Sequence, residues 1–183
     1  DESDYYTERE LHDGYGNYNE VVLYQMGFHD FGIGTQWLYL DYSLPEGVAL
    51  ELPANLVWDL NPHYFNYSDD SIEGLVHFNI YTEAAEDVDH IAYVLDCNNQ
   101  NIVLPANQET TIEYVCDFDN DVTVFELFSH AHQLMQTFEV FIEGGSRHGE
   151  QVYFNNDYEH PPVAVYDDLH LNADEGLRMR VTY

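Results

Sequence analysis

The sequence predicts an all-β protein of sandwich type, on three observations. Short apolar runs of strand length recur along the whole chain, separated by turns rich in Pro, Gly and Asn. No stretch carries the apolar period of a convincing amphipathic helix. Hydrophobic residues fill 45% of the 183 positions, and 16 Tyr with 10 Phe supply bulky side chains for a core. Many short strands with this punctuation close as sandwiches.

Residues 1–20 read as a polar, Tyr-rich, loose start. Val21–Met26 is a short apolar run that fits a buried strand, and GFHDFGIG follows as a loop in which His29 is a solvated histidine. Trp37–Tyr42 is the next strand. LPEGVALELPANLVWDL reads as strand, turn and strand, with Pro45-Glu46-Gly47 and Pro53-Ala54-Asn55 as its turns. Val57–Leu60 leads into NPHYFNYSDD, with His63 near the end of that strand. Asn66-Tyr67-Ser68 beyond it fits an N-glycosylation sequon. Gly74–Tyr81 alternates as a strand, with His77 in a structural role. The acidic piece TEAAEDVDH lacks large apolar residues and marks a domain boundary near Ala85, dividing residues 1–84 from 85–183.

Strands follow at Ile91–Leu95, Asn101–Leu104 and Thr110–Cys116. A long one covers Phe125–Val140 and runs on through Phe138–Glu143 to a Gly144-Gly145 turn. Gln151–Phe154 is a strand, NNDYEHPP a loop anchored by His160, and Val163–Tyr166 another strand. DDLHLNADEG reads as a turn region before the last strand, Leu177–Tyr183.

Charge narrows the function classes. Asp and Glu number 35 against four basic residues, all Arg, for a net charge of -31. Nucleic acids and anionic membrane surfaces are polyanions, so neither is expected as a partner. The excess of acids suits a protein that stays soluble in high salt or one that carries calcium. No run approaches the ~20 apolar residues of a membrane span. The chain opens on Asp1 and shows no signal peptide, so it is expected to be a processed product or an excised fragment of a larger protein.

Cys97 and Cys116 flank a loop-strand unit and have no histidines at zinc spacing. They are expected to form a disulfide, with two buried thiols as the alternative. Phosphate-binding glycine loops, nucleophile elbows, Cys-His pairs and zinc-protease helices are absent from the sequence. What remains is His-Ala-His in FELFSHAHQLMQTFEV. On a strand, side chains two apart share a face, so His130 and His132 project together beside Glu126 and Phe128. Two imidazoles so placed can reach one metal ion, and neutral imidazole suits copper, zinc, iron and nickel. The alternative is two partly buried polar residues without a metal. His63, His130 and His132 are the metal-grade residues on expected strands.

Several pieces, taken in order, resemble the copper type II, ascorbate-dependent monooxygenases, the family of peptidylglycine alpha-hydroxylating and dopamine beta-monooxygenases. LPEGVALELPANLVWDLNPHYFN is similar to the family segment in which a strand ends in His-Tyr and supplies a ligand of the first copper, here His63. IVLPANQETTIEYVC resembles the opening of the second domain. FSHAHQLMQTFEVF carries the His-x-His pair of the second copper, here His130 and His132. VYFNNDYEHPPVAVYDDLHLNADEGLRMRVTY resembles the strands that follow, and SHAHQL with EGG and DYEHPP is similar to bacterial secreted members. The likeness covers residues 20–183. It departs from the family in lacking the paired histidines upstream of His63. The methionine that completes the second copper site is also missing, since Met135 and Met179 do not sit in its motif.

The resemblance implies two antiparallel jelly-roll sandwiches, the first (1–84) incomplete at its start and the second (85–183) incomplete at its end. It implies an extracellular or periplasmic protein that hydroxylates a C–H bond with dioxygen, using two coppers and ascorbate as reductant. The His130/His132 copper would activate dioxygen, and the His63 copper would store and pass an electron. Both sites would be incomplete here. The substrate, small molecule or peptide, is not marked by any residue, and no catalytic residue beyond the ligands is assigned. The rival expectation is a non-catalytic acidic extracellular β-sandwich module serving adhesion, assembly or calcium binding.

Overall fold

The computed structural model describes residues 32–183 apart from 56, 57, 59, 61, 63 and 65. The expected strand Val21–Met26, the loop histidine His29 and the candidate ligand His63 lie outside the described residues. Among the described residues the protein is all-β. Its strands are β1 (Val48–Leu50), β2 (His90–Ala92), β3 (Thr111–Cys116), β4 (Val122–Leu127), β5 (Thr137–Gly144), β6 (Gln151–Asn155), β7 (Ala164–Leu171) and β8 (Glu175–Thr182). The only helical piece among them is a single 3-10 turn at Ala85–Asp87. No helix among the described residues is long and apolar enough to cross a membrane.

Two compact units divide the chain. Asp41–Leu95 form the smaller, and residues 96–183 join the stretch up to Leu40 in the larger. Ala85 falls within the smaller unit. There β1 and β2 pair in parallel over three residues, Val48 with His90 through Leu50 with Ala92.

The larger unit is a sandwich of two antiparallel sheets. One has the order β3-β8-β5-β6, the other pairs β4 with β7. Its centre is the β5–β8 ladder, which runs from Thr137 opposite Thr182 to Gly144 opposite Glu175. The sequence of β5, TFEVFIEG, shows why: Phe138, Val140 and Ile142 alternate inward with β-branched and aromatic side chains suited to a pleated surface. From the facing sheet come Leu169 and Leu171 of β7, and from β8 comes Leu177. Ile142 and Leu171 are fully buried at the middle of this core. In β7 the inward positions change phase between Tyr166 and Leu169, where the β4–β7 register shifts between Val124 and Glu126. A bulge of this kind bends a strand around a core.

Three of the four Arg hold the sandwich together. Arg147 donates to both carboxylate oxygens of Glu175, at 3.1 and 2.6 Å, and to the carbonyl of His170. Asn172 adds its backbone N–H and its side-chain amide to the same carboxylate, so the turn between β7 and β8 closes on one buried acid. These donors, Arg147 foremost, hold the Glu175 carboxyl down at about 2. Arg178 and Arg180 lie over the ring of Phe141, 4.9 and 4.8 Å from its centroid, and share Glu113. Gly144 turns the chain after β5 with a φ of 78°, where a Cβ would run into the Asp174 carbonyl. Cys97 and Cys116 form a disulfide with a Cα–Cα distance of 6.2 Å, tying the segment after β2 to the end of β3.

Several expected strands are not strands. Residues 36–38 bend and 39–42 join no ladder among the described residues, while the side chains of Gln36 and Trp37 bond to a distant loop described below. The stretches 74–81 and 101–104 also lie outside any ladder among the described residues. Conversely, the expected turn at Asp167–Leu171 is the second half of β7, since Leu169 and Leu171 are drawn into the core.

Candidate metal-binding site

The His-Ala-His segment is not part of a continuous strand. β4 ends at Leu127 and β5 begins at Thr137, so His130 and His132 sit in the connection between the two sheets. The alternation nevertheless survives there: Ser129 and Ala131 are buried, whereas His130 and His132 are exposed. The two imidazoles therefore share one side. Their ring centroids lie 5.2 Å apart, edge to face at 76°. The segment ends in a turn closed by the Met135 N–H donating to the His132 carbonyl at 2.9 Å. Met135 itself is buried in the core cluster.

A buried polar network holds the segment down on its inner side. Ser129 donates its N–H to the Tyr153 hydroxyl at 3.2 Å, and its own hydroxyl lies 3.1 Å from the same oxygen. Asn155 donates to Ser129 Oγ at 2.9 Å, and Tyr153 donates to the Pro162 carbonyl at 2.7 Å. Burial pushes the Tyr153 hydroxyl above its ordinary pKa, so it remains a donor. All three side chains are buried and all are bonded, as buried polar groups require. Tyr153 and Asn155 belong to β6, so the four-stranded sheet positions a segment that leaves the other sheet.

A second set of bonds reaches His130 from outside. Its Nδ1 lies 2.9 Å from Gln36 Oε1. The amide nitrogen of Gln36 donates to the carbonyl of Tyr158 at 2.6 Å and to that of Glu159 at 3.3 Å. Next to it, Trp37 donates its indole N–H to the Pro161 carbonyl at 2.8 Å and packs against His160, ring centroids 5.0 Å apart. His160 thus anchors the loop, as its sequence context suggests. The loop keeps its shape through Asp157, whose Oδ1 accepts the N–H groups of Glu159 and His160 at 2.9 and 3.1 Å. Those bonds, that from His160 first, keep the Asp157 carboxyl below its usual range. Glu126, one face-sharing neighbour expected from the sequence, is half-buried, and desolvation raises its pKa.

The structure thus brings His130 and His132 together and adds Gln36. Among the described residues no group of three or more His, Cys, Asp and Glu side chains could hold a metal ion. What these residues offer is a two-nitrogen site on the surface of the sandwich, with donors suited to copper, zinc, iron or nickel. Gln36 was not legible as part of it, because a lone glutamine 94 residues from its partner leaves no local pattern. Comparison with protein-family models, with curated proteins and with solved structures gives no match to this chain.

Proposed function

We propose that the chain is part of a copper-dependent monooxygenase that hydroxylates a C–H bond with dioxygen and ascorbate, and that His130 and His132 are two ligands of its dioxygen-activating copper. The observation that supports this reading is the pair of imidazoles held 5.2 Å apart on one side of a segment pinned from its buried side. The donor set fits copper, since imidazole binds both its oxidation states, and little reorganisation is needed when the rings already share a side. Copper held there would supply one-electron chemistry and dioxygen activation. The chain's own part is to aim the two rings and to keep their segment fixed through Ser129, Tyr153 and Asn155. His63 would serve a second, electron-storing copper. On this reading each unit is a jelly roll. The disulfide and the acidic surface are compatible with an extracellular or periplasmic setting.

The test is Cu(II) titration followed by electron paramagnetic resonance on the wild type, His130→Ala and His132→Ala. The expected result is a nitrogen-ligated Cu(II) signal in the wild type that each substitution weakens or abolishes. If both variants bind copper as the wild type does, the monooxygenase reading falls. An acidic β-sandwich module for adhesion, assembly or calcium binding then becomes the better account.

A further inference from the structure

We propose that Asn66 carries an N-linked oligosaccharide, and that this glycan covers the apolar run beside it. The proposal shares with the copper reading only its extracellular or periplasmic setting. Asn66-Tyr67-Ser68 is the single Asn-x-Ser/Thr triplet among the 183 residues, and such a triplet is the acceptor in N-glycosylation. In the structure the triplet folds on itself. Asn66 Oδ1 accepts the backbone N–H of Ser68 at 3.0 Å and its hydroxyl at 2.7 Å. Nδ2, at the other end of the amide, donates to the Asp70 carbonyl at 2.8 Å. A backbone N–H only donates and a carbonyl only accepts, so these partners settle which end of the side chain is nitrogen. The hydroxyl required at the third position of the triplet therefore sits on the acceptor amide itself.

The surroundings suit a bulky polar addition. Residues 66–87 are all exposed, so a glycan on Asn66 displaces no buried side chain of that stretch. Yet Ile72, Leu75, Val76, Phe78 and Ile80 lie within it, an apolar run facing solvent. Tyr64 brings the triplet against that run. A Cβ on Gly74 would lie 2.8 Å from the Tyr64 ring, so the ring rests on Gly74, two residues before Asn66 in the chain. Apolar residues exposed in a run are an aggregation liability unless something covers them, and an oligosaccharide is bulky and solubilising. Its transfer joins Nδ2 to C1 of the first sugar of a polyprenyl-diphosphate-linked oligosaccharide. The C1–O bond breaks, its electron pair leaves with the lipid diphosphate, and one amide proton passes to a base of the transferase. One N–H remains on the amide, enough to keep the bond to the Asp70 carbonyl.

The experiment uses the full protein isolated from the cells that make it, as wild type and as the variants Ser68→Ala and Ser68→Thr. Peptide mass spectrometry with fragmentation reads the mass carried by Asn66. The wild type is expected to carry a sugar chain there. Ser68→Ala, which removes the hydroxyl, should lose it, and Ser68→Thr, which keeps one, should retain it. Binding of Nile red, a neutral dye that reports apolar surface, should rise in Ser68→Ala and stay at the wild-type level in Ser68→Thr. An unmodified Asn66 in the wild type overturns the proposal, and that measurement does not depend on how the variants fold. A glycan that persists in Ser68→Ala overturns the assignment to this triplet, and unchanged dye binding in a glycan-free Ser68→Ala overturns the covering role. Copper titration of the same wild-type protein keeps the two readings apart. A glycosylated protein that binds no copper overturns the monooxygenase reading alone, and a copper-binding protein with a bare Asn66 overturns the glycan alone.

Discussion

The unit of Asp41–Leu95 and the sandwich of residues 96–183 contain comparable apolar runs, yet they treat them differently. In the sandwich, Phe138, Val140, Ile142, Leu169, Leu171 and Leu177 are all buried together. In the smaller unit Ala92 is the sole buried hydrophobic among the described residues, and Leu75 and Ile80, which sit in a run as alternating as β5, are exposed at 74% and 44%. The difference lies in pairing. β5 has ladder partners on both edges, and with β8 it forms an unbroken register from Thr137 to Gly144. β1 and β2 share a parallel ladder of three residues. Alternation marks which side chains would face a core, but only a ladder of sufficient length holds that face against another sheet.

Core truncation sharpens the comparison most. Ile142→Ala or Leu171→Ala should cost about 2–5 kcal/mol, because each removes a fully buried side chain from a packed interior. The same change at Leu75 should stay within about 0.5 kcal/mol. Chemical denaturation of the three variants measures both halves, and equal losses would erase the distinction between the two regions.

The disulfide offers the next effect in size. Joining positions 19 apart in sequence, the Cys97–Cys116 bond should contribute on the order of 3 kcal/mol in the chain-entropy model. Unreduced mass spectrometry should find the bond, and reduction or Cys97→Ser with Cys116→Ser should lower the melting temperature. Two free thiols in folded protein would contradict it.

A smaller effect, confined to acid, should come from Glu175. Its carboxyl is held at about 2 in the folded protein, chiefly by Arg147, and returns to the ordinary glutamate range on unfolding. A depressed folded pKa means that the unfolded state binds the proton more readily. The contribution is therefore complete above the unfolded value of ~4.3 and is lost as pH falls from there toward about 2. Glu175→Gln should lower stability at neutral pH and flatten the fall in stability across that window. If melting temperatures of wild type and variant run parallel from pH 6 to pH 2, the carboxylate is not what closes the β7–β8 turn.

Much of the sandwich was legible beforehand. Thr110–Cys116, Phe138–Glu143, Gln151–Phe154 and Leu177–Tyr183 were read close to where β3, β5, β6 and β8 lie, because their apolar residues alternate and turn residues bound them. The misreadings share a cause. Trp37–Tyr42 and Gly74–Tyr81 have strand composition, but among the described residues no neighbour completes a ladder with them, and β propensity describes fit to a pleated surface rather than an intrinsic backbone preference. Residues 167–171 look like a turn, with two adjacent acids, yet the core takes Leu169 and Leu171 and the acids face outward.

The site divides along the same line. That His130 and His132 project to one side while Ser129 and Ala131 turn inward was legible in the sequence itself, as a two-residue alternation of apolar or small and polar side chains. The spacing could not say that the segment would leave the strand, that Tyr153 and Asn155 would hold it, or that Gln36 would meet His130. Those depend on hydrogen bonds between residues 24, 26 and 94 positions apart. Such bonds follow donor and acceptor geometry, which has no period along a chain, so only the folded arrangement of the loop at Asp157–Pro162 decides them.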